Sequence, residues 1–396
     1  MASDARSELP RPWAESLAGK LRDLERQTLT RSIVTPETGP EPQVTLGGKR
    51  YVHFTSNNYL GLSTDPRIVE ASVEATRRYG ASTSASRLLC GSTPLHDALE
   101  AKLARLKRTE ACLLFSSGYL ANVGLISALA GPDDAVFSDR LNHASIIDGC
   151  RLSRATTVIY PHCDVKALEG LLQRTTAKRR LIVSESVFSM DGDIAPVREL
   201  VEVAKRFDAL LVLDEAHATG VLGPDGGGAL SHFGIAGTPT MIMGTLSKAL
   251  GSAGGFVAAN ATVVDFLRNR CRTFIFNTAL PAGSAGAALT ALDIVEQEPW
   301  RREKVLALSK HLREGFVALG YPPSRSETPI VPLVLGEADV AVAMEQRLKA
   351  AGVLARAIRP PTVPPGTSRI RFNVMASHDE TDVGQALAAV RDASRG

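Results

Sequence analysis

Short apolar runs alternate with amphipathic stretches between residues 111 and 244. Each run is uninterrupted and has the length of a strand buried on both faces. The runs are ACLLF (111–115), AVFS (135–138), TVIY (157–160), LIVS (181–184), LLVLD (210–214) and MIMG (241–244). The stretches between them with apolar residues at helical spacing are 119–130, 144–153, 165–174 and 197–207. This alternation predicts an α/β fold in which a mostly parallel central sheet carries helices on both faces.

The regions on either side have other patterns. The first fifty residues are charged and rich in proline around Thr35–Pro42, which predicts a helix at about 13–31 and then an extended arm. After about residue 285, long amphipathic helices and short strands predict a smaller α+β domain. The predicted elements there are helices 286–297 and 302–319, strands near 330–335 and 369–374, and a closing helix. The predicted division of the chain is an N-terminal helix and arm (1–50), a large α/β domain (51–285) and a small C-terminal domain (286–396).

The composition is that of an ordinary globular protein. Hydrophobic residues make up 44% of the chain and charged residues 22%, which disfavours disorder, collagen and coiled coil. The 45 basic and 42 acidic residues give a net charge of +3, too balanced for a nucleic-acid-binding protein. The five cysteines include no Cys-x-x-Cys pair, so a zinc ribbon, a thioredoxin-type site and a secreted disulfide framework lack support. We predict no metal site.

Two uncharged stretches, 111–132 and 273–292, are each long enough to span a bilayer. Both contain polar residues and glycine, so we predict that each forms a strand, a polar turn and a helix buried in protein. The first residues of the chain also lack the apolar core of a signal peptide. We therefore expect a cytoplasmic protein that does not enter the membrane.

Polar residues cluster where the predicted strands end. Ser-Ser-Gly follows Phe115, Ser-Glu-Ser follows Val183, Asp214 ends its strand, and Lys248 comes shortly after the last strand. Ligands of parallel α/β sheets bind beyond the carboxyl ends of the strands. The sequence therefore predicts a ligand site at this edge of the sheet.

Lys248 lies in GTLSKALGSAGGF (244–256), among small hydroxyl residues and glycines. Most lysines are solvated surface residues. A lysine at a sheet edge, where glycines let a ligand approach closely, can instead act as an amine nucleophile. The spacing of a P-loop is absent, and no Gly-x-Gly-x-x-Gly follows an early strand, so a nucleotide-binding function is disfavoured.

Asp214 and His217 lie in LLVLDEAHATGVLG (210–223). A carboxylate at the end of a buried strand needs a cation or a donor, and the pyridinium nitrogen of pyridoxal 5'-phosphate (PLP) is such a cation. His217 is then placed to contact the phenolic oxygen of the PLP ring. Taken alone, Asp-x-x-His fits a simple turn at a strand end equally well. Together with Lys248, the pair favours a PLP site.

FSSGYLAN (115–122) has the pattern of a strand, a turn and the start of a helix. The free N–H groups and dipole of a helix N-terminus favour a phosphate site, but a simple N-cap by Ser116 or Ser117 fits the same residues. Thr245 and Ser247 offer further hydroxyls. His143, in DRLNHASIIDG (139–149), is either a flat partner for an aromatic cofactor or an ordinary loop residue.

With these motifs in place, the sequence resembles the α-oxoamine synthases, which are PLP enzymes of fold type I, the aspartate aminotransferase-like fold. Enzymes of this family condense an amino acid with an acyl thioester and release CO2. The likeness runs from about residue 20 to the C-terminus. The motifs that carry it are NNYLGLS (57–63), HDALEAKLA (96–104), FSSGYLAN (115–122), DRLNHAS (139–145), ESVFSMDGD (185–193), DEAHATGVLG (214–223), TLSKALGS (245–252) and IRPPTVPPGTSRIRF (358–372).

The resemblance implies roles for the central residues. Lys248 would bind PLP covalently and later move the α-proton of the amino acid. Asp214 would pair with the pyridine nitrogen, while His217 and Ser189 would lie near the phenolic oxygen. His143 would stack on the ring and polarise the thioester carbonyl.

The resemblance also assigns the remaining contacts of the cofactor to the turn and strand nearby. Gly118, Tyr119 and Thr245 would bind PLP, chiefly its phosphate. The large domain would then be the PLP-binding domain, and a homodimer with sites at the subunit interface is implied.

The substrate residues follow from the last motif and from the N-terminal helix. Strand alternation places Arg369 and Arg371 on one face, and an Arg fork can grip a carboxylate through two parallel hydrogen bonds. Periodicity does not choose between the two arginines, and the resemblance selects Arg371 for the amino-acid carboxylate. Thr362 would line the substrate site and Arg31 would reach the acyl substrate. The segment 358–372 most resembles the family member that uses L-alanine and a pimeloyl thioester of CoA or of a carrier protein.

Alternatives stay open within and beyond the family. Glycine C-acetyltransferase, 5-aminolevulinate synthase and serine palmitoyltransferase share the cofactor residues, and a non-catalytic PLP-fold regulator is the alternative of another class. The sequence departs from the family pattern at Asn58, where Asp is usual, and at Thr83–Ala85, where glycines are common. None of these departures falls in the cofactor motifs.

Overall fold

The computed structural model describes residues 9–235 and 240–395, so the predicted domain limits at residues 1 and 396 lie outside the described residues. The described residues form thirteen strands. They are Gln43–Leu46 (β1), Lys49–His53 (β2), Ala111–Phe115 (β3), Ala135–Asp139 (β4), Thr156–Tyr160 (β5), Arg180–Glu185 (β6), Ala209–Asp214 (β7), Thr240–Thr245 (β8), Gly255–Ala259 (β9), Ile330–Gly336 (β10), Val353–Leu354 (β11), Arg356–Ile358 (β12) and Ser368–Asn373 (β13). The six apolar runs predicted as strands are β3 to β8.

The same part of the chain forms fourteen helices. They are Arg11–Arg26 (α1), Pro66–Tyr79 (α2), Pro94–Lys107 (α3), Gly118–Leu129 (α4), Ala144–Ser153 (α5), Val165–Arg174 (α6), Val197–Arg206 (α7), Ala229–His232 (α8), Ala261–Arg270 (α9), Arg272–Ile275 (α10), Ala282–Gln297 (α11), Trp300–Ala318 (α12), Ala338–Ala350 (α13) and Glu380–Ala393 (α14). The four helices predicted between the strands are α4 to α7. Among the described residues, no helix combines the length and the apolar character needed to cross a bilayer.

The central sheet has the strand order β3-β9-β8-β7-β6-β4-β5 within the described chain. Strands β8, β7, β6, β4 and β5 pair in parallel, and β9 is antiparallel to both of its neighbours. The predicted α/β fold with a mostly parallel sheet is therefore confirmed. Strand β9 was missed because its run GFVAA directly follows a glycine-rich turn, which masks its apolar pattern.

Successive side chains along each strand point to opposite faces of this sheet and pack into two cores, one on each face. On β7, Leu211 and Leu213 pack into one core and Val212 packs into the other. Leu200 of α7 belongs to the first core, and Leu125 of α4 belongs to the second. Burial on both faces explains why the strands read as continuous apolar runs.

Two smaller sheets flank the central one. Strands β10, β13 and β12 form an antiparallel sheet in the C-terminal region. The β1–β2 hairpin pairs in parallel with β11, so a segment from the N-terminal arm shares a sheet with the C-terminal region. The division of the chain into domains stays a prediction.

Three details of the sequence prediction were wrong. Helix α1 ends at Arg26, before residue 31, and Thr28 has a left-handed φ of 57° that does not continue a helix. Residues 43–53 of the predicted arm form the β1–β2 hairpin, whose turn uses the positive φ of Gly47 and Gly48. The stretch 273–292 begins in helix α10, not in a strand, and Phe274 of that helix packs into the second core.

Candidate active site

Lys248 and His217 meet at the carboxyl edge of the central sheet. Nζ of Lys248 lies 2.8 Å from Nε2 of His217. Lys248 follows β8 and His217 follows β7, and these two strands are parallel neighbours. Their carboxyl ends therefore deliver both side chains to the same place.

The surroundings of Lys248 make its amine easier to deprotonate. Burial lowers the pKa of Lys248 to about 8, although the negative charge of Asp214 opposes this shift. The positive charge of Arg371 lowers the pKa further. Because only the neutral amine is nucleophilic or basic, this shift prepares Lys248 for chemistry near neutral pH.

His217 is buried and is hydrogen-bonded at both ring nitrogens. Burial, together with the positive charge of Lys248, holds the pKa of His217 well below its usual value, so the ring is neutral. When Lys248 donates to Nε2, the ring proton sits on Nδ1, which lies 2.7 Å from the hydroxyl oxygen of Tyr59. The Tyr59 hydroxyl then donates to Oδ1 of Asn57 at 3.1 Å. This chain of hydrogen bonds fixes the orientation and tautomer of His217.

Asp214 is buried at the end of β7 and is held by two donors. Its Oδ2 accepts a hydrogen bond from Nδ2 of Asn122 at 2.8 Å, and its Oδ1 accepts from the backbone N–H of Ala216 at 2.9 Å. Glu185 lies opposite Asp214 in the register of β6 and β7. Burial and the nearby charge of Asp214 raise the pKa of Glu185 well above its usual value. This environment therefore favours the neutral form of the Glu185 carboxyl.

The N-terminus of α4 lies beside the end of β8. Ser117 is the N-cap, and its side chain accepts from the backbone N–H of Leu120 at 3.2 Å. Gly118 opens the helix against Thr245 and Gly255, and a Cβ added at Gly255 would lie only 2.5 Å from the backbone nitrogen of Gly118. The N-cap and the phosphate-site interpretations are thus compatible, because Ser117 uses one N–H of the first turn and the others stay available to an anion.

The structure separates the two arginines that strand alternation left equivalent. Arg369 forms an ion pair with Asp191 and donates to the carbonyl of Met190. Arg371 donates through Nη2 to Tyr59 Oη at 3.3 Å and to Asn57 Oδ1 at 3.1 Å. Arg371 therefore belongs to the Lys248 cluster, whereas Arg369 is already paired.

His143 is the N-cap of α5, and its Nδ1 accepts from the backbone N–H of Ser145 at 3.2 Å. Burial lowers the pKa of His143, while the negative charge of Asp214 opposes the shift. The exposed Tyr119 packs edge-on against this ring, and its hydroxyl is bonded to Asp148. His143 and Tyr119 are thus in contact, with Tyr119 on the solvent-exposed side.

The remaining predicted residues lie at different distances from this cluster. Ser189 is buried in the turn after β6, where its backbone N–H donates to Oε2 of Glu185 at 3.2 Å. Thr362 is exposed and lines a cavity of about 400 Å³ together with Asn142 and Met190. Arg31 is exposed in the segment after α1.

Three polar residues of the site were not singled out from the sequence. Tyr59 joins His217 to Arg371, Asn122 holds Asp214, and Glu185 supports the turn of Ser189. Each lies inside a motif noted above, but nothing in its local pattern shows that it points inward. Their contacts span long stretches of sequence, which a local pattern does not encode.

Comparisons with known proteins show the family of the chain. The family model described as aminotransferase class I and II matches residues 49–390. An 8-amino-7-oxononanoate synthase of Anaeromyxobacter dehalogenans (strain 2CP-1 / ATCC BAA-258) is 49% identical over 376 residues, which is 94% of each chain. Two solved structures are also similar. The first is a serine palmitoyltransferase variant from S. paucimobilis with bound PLP–myriocin, which is 32% identical with a TM-score of 0.92 over 98% of this chain and 99% of that chain. The second is an 8-amino-7-oxononanoate synthase from Francisella tularensis, which is 28% identical with a TM-score of 0.76 over 87% of this chain and 98% of that chain.

The chain therefore belongs to the class I and II aminotransferase family and has the fold type I architecture of PLP enzymes. Within this family its relatives place it among the α-oxoamine synthases, and it is a PLP-dependent acyltransferase. The resemblance noticed in the sequence is thereby confirmed.

The residues present fit PLP. Among the described residues, buried side-chain atoms without a hydrogen-bond partner include Oδ1 of Asn122, Oε1 of Glu185 and Nε of Arg371, all at this site. The site also offers an amine of lowered pKa, a buried carboxylate and a helix N-terminus. These groups match the aldehyde, the pyridine nitrogen and the phosphate of PLP.

Proposed function

We propose that this enzyme condenses L-alanine with a pimeloyl thioester, carried by CoA or by a carrier protein, to form 8-amino-7-oxononanoate. CO2 and CoA, or the free carrier protein, are the other products, and the reaction is a step of biotin biosynthesis. The observation that carries the proposal is the position of Arg371, whose Nε is buried and unpaired beside Lys248 and Tyr59. The names of the relatives, 44–49% identical, support the choice of product.

Lys248 would hold the cofactor and then move a proton. PLP, when bound, supplies an aromatic ring that accepts the electron pair left on the α-carbon of the amino acid. Nζ of Lys248 would take the proton from that α-carbon, for which its lowered pKa is suited. Asp214 would keep the pyridine nitrogen protonated, and Asn122 holds the Asp214 carboxylate in place.

Arg371 would bind the carboxylate of alanine. Its Nη2 is oriented by Asn57 and Tyr59, which leaves Nε as a donor toward the site. A charge-assisted hydrogen bond from Nε, together with the charge of the guanidinium, would hold the carboxylate.

The acyl substrate would enter past His143 and Thr362. The cavity lined by Thr362, Asn142 and Ile147 adjoins the His143 loop and is large enough for an acyl chain. His143 would polarise the thioester carbonyl. Arg31 would contact the acyl substrate from the segment after α1, whose backbone is held by Arg359 through the carbonyl of Thr30.

A matrix of substrates tests the proposal. Purified enzyme loaded with PLP is mixed with alanine, glycine or serine and with pimeloyl-CoA, acetyl-CoA, succinyl-CoA or palmitoyl-CoA, and products are identified by mass spectrometry. We expect 8-amino-7-oxononanoate from alanine and pimeloyl-CoA as the main product. A main product from glycine or from serine would contradict the proposal. The serine and palmitoyl-CoA pair is included because the serine palmitoyltransferase structure has a TM-score of 0.92 with this chain.

We also propose that the enzyme is a homodimer and acts in the cytoplasm. Helix α1 buries none of its residues in the single chain, and its apolar side chains Trp13, Leu17 and Leu21 are exposed. Such a stripe is suited to contact with a second copy. The five cysteines are free thiols, which agrees with a reducing compartment.

A further inference from the structure

A cluster of titratable side chains lies outside the Lys248 site. Nδ1 of His162 lies 3.0 Å from Oδ1 of Asp139, and Nε2 of the same ring lies 2.8 Å from Oδ2 of Asp193. Cys163 follows in the chain, and its backbone N–H donates to Oδ2 of Asp139 at 2.8 Å. The ring of His162 packs edge-on against Phe188.

The residue types of this cluster are also those of a metal site. Ligand atoms of Asp139, His162 and Cys163 lie within 4.8 Å of one another. However, Sγ of Cys163 is 3.7 Å from Nδ1 and 3.6 Å from Nε2 of His162, which places the sulfur over the ring face. A metal ion bound in the ring plane at one nitrogen would not reach that sulfur at a ligand distance. Both nitrogens also already face carboxylates, so the geometry favours a protonated ring that donates twice.

The electrostatics agree with this interpretation. Burial lowers the pKa of His162, but the hydrogen bonds to Asp139 and Asp193 outweigh burial and raise the pKa to about 12. A histidine in this environment is a cation throughout the physiological range of pH.

The two carboxylates belong to segments that deliver proposed site residues. Asp139 is the last residue of β4 and lies four residues before His143. Its Oδ1 also accepts a hydrogen bond from the backbone N–H of Leu141 at 2.8 Å. Asp193 closes the turn that holds Ser189, and Asp191 in the same turn pairs with Arg369. His162 therefore connects the His143 loop to the Ser189 turn, and a separate ion pair connects that turn to β13.

We propose that His162 is a positioning residue that joins the His143 loop to the Ser189 turn by donating to Asp139 and Asp193 at once. Losing this link frees the two segments from each other without removing any group that contacts the cofactor. The inference rests on the proposed roles of His143 and Ser189 toward PLP, and it does not depend on which substrates the enzyme uses.

The test compares His162→Gln, Asp193→Asn and the double variant with the wild type and with His311→Gln, a change at an exposed histidine of α12. We expect each single variant to raise the Kd for PLP and to lower kcat about tenfold, with an altered circular dichroism band of the bound cofactor. The double variant should be no worse than either single one, because the same link is broken. His311→Gln should behave as the wild type.

Several results would overturn the proposal. One is a His162→Gln enzyme with wild-type PLP affinity, cofactor spectrum and kcat, even if its melting temperature is lower. Another is stoichiometric zinc in the purified wild type that is lost in the variant. If His162→Gln does not fold, the PLP affinity, cofactor spectrum and kcat of Asp193→Asn test the proposal instead, because asparagine keeps the shape of the aspartate side chain. The PLP measurements need no substrate, so they test the role of His162 independently of the proposed reaction.

Discussion

At the scale of single residues, we expect the protonation of Lys248 to control how the protein takes up its cofactor. With the pKa lowered to about 8, the amine of the apoenzyme is charged below that pH and neutral above it. We therefore predict that the rate of covalent PLP capture rises with pH, passes its midpoint near 8 and then levels off. Stopped-flow absorbance of apoenzyme mixed with PLP measures this rate. A midpoint near the ordinary lysine value of 10.5 would contradict the burial argument.

Tyr59 joins Arg371, the proposed carboxylate site, to His217, which contacts Lys248. Tyr59→Phe removes the hydroxyl that contacts both His217 and Arg371 and keeps the buried ring. Because hydrogen bonds to charged groups contribute about 1.5–3 kcal/mol, we expect kcat/KM for the amino acid to fall about tenfold or more. Steady-state kinetics with varied amino acid measure the change. The half-buried Tyr79 of α2, changed in the same way, is the control and should have no effect.

Sequence reasoning placed Lys248, Asp214 and His217 at one edge of the sheet because their motifs lie at strand ends, and the structure has them there. Strand alternation did not separate Arg369 from Arg371, since it gives both the same face, and only the family resemblance selected Arg371. In the structure they differ in their contacts: Arg369 pairs with Asp191, whereas Arg371 contacts Tyr59 and Asn57. Tyr59 was missed because its partners lie far along the chain.

At the scale of elements, a buried ion pair ties helix α3 to the segment after β7. Lys107 donates to Glu215, to Oγ1 of Thr219 at 2.8 Å and to the carbonyl of Gly227 at 2.8 Å, and both charged side chains are fully buried. Glu215 in turn accepts from the backbone N–H of Ala229 at 2.9 Å. This pair holds the segment that contains Asp214 and His217 in place.

We predict that Lys107→Met lowers the free energy of unfolding by about 3–5 kcal/mol, because it leaves the Glu215 carboxylate buried and unpaired. Urea denaturation of the apoenzyme measures the loss. Lys102→Met on the same helix removes a pair with the half-exposed Asp293 and should change stability by less than about 1 kcal/mol. Adding Glu215→Gln to Lys107→Met should recover part of the loss, and equal effects of the two lysine variants would contradict the prediction.

The elements of the α/β region were predictable because buried parallel strands and amphipathic helices have distinct periods. The failures occurred where tertiary contacts outweigh local pattern. Strand β9 forms because β3 and β8 flank it on both sides, and helix α10 forms where Phe274 can enter the second core. A short window of sequence does not contain the flanking strands or the core residues that these elements contact.

At the scale of the whole molecule, the exposed apolar stripe of α1 predicts association. We expect light scattering to give a molar mass about twice the 42.1 kDa of one chain. Trp13→Ser with Leu21→Ser should weaken the dimer, whereas Leu210→Ser, a change at an exposed apolar residue elsewhere, should not. A cofactor-loaded monomer at micromolar concentration would contradict the proposed assembly.

The central claim is that the amine of Lys248 moves the α-proton of the bound amino acid. Proton NMR of L-alanine in D2O, with PLP-loaded enzyme and no acyl thioester, follows this step alone. We predict that the wild type replaces the α-hydrogen with deuterium, so that the methyl doublet collapses. Lys248→Ala loaded with PLP should leave alanine unexchanged, and exchange by that variant at the wild-type rate would contradict the account.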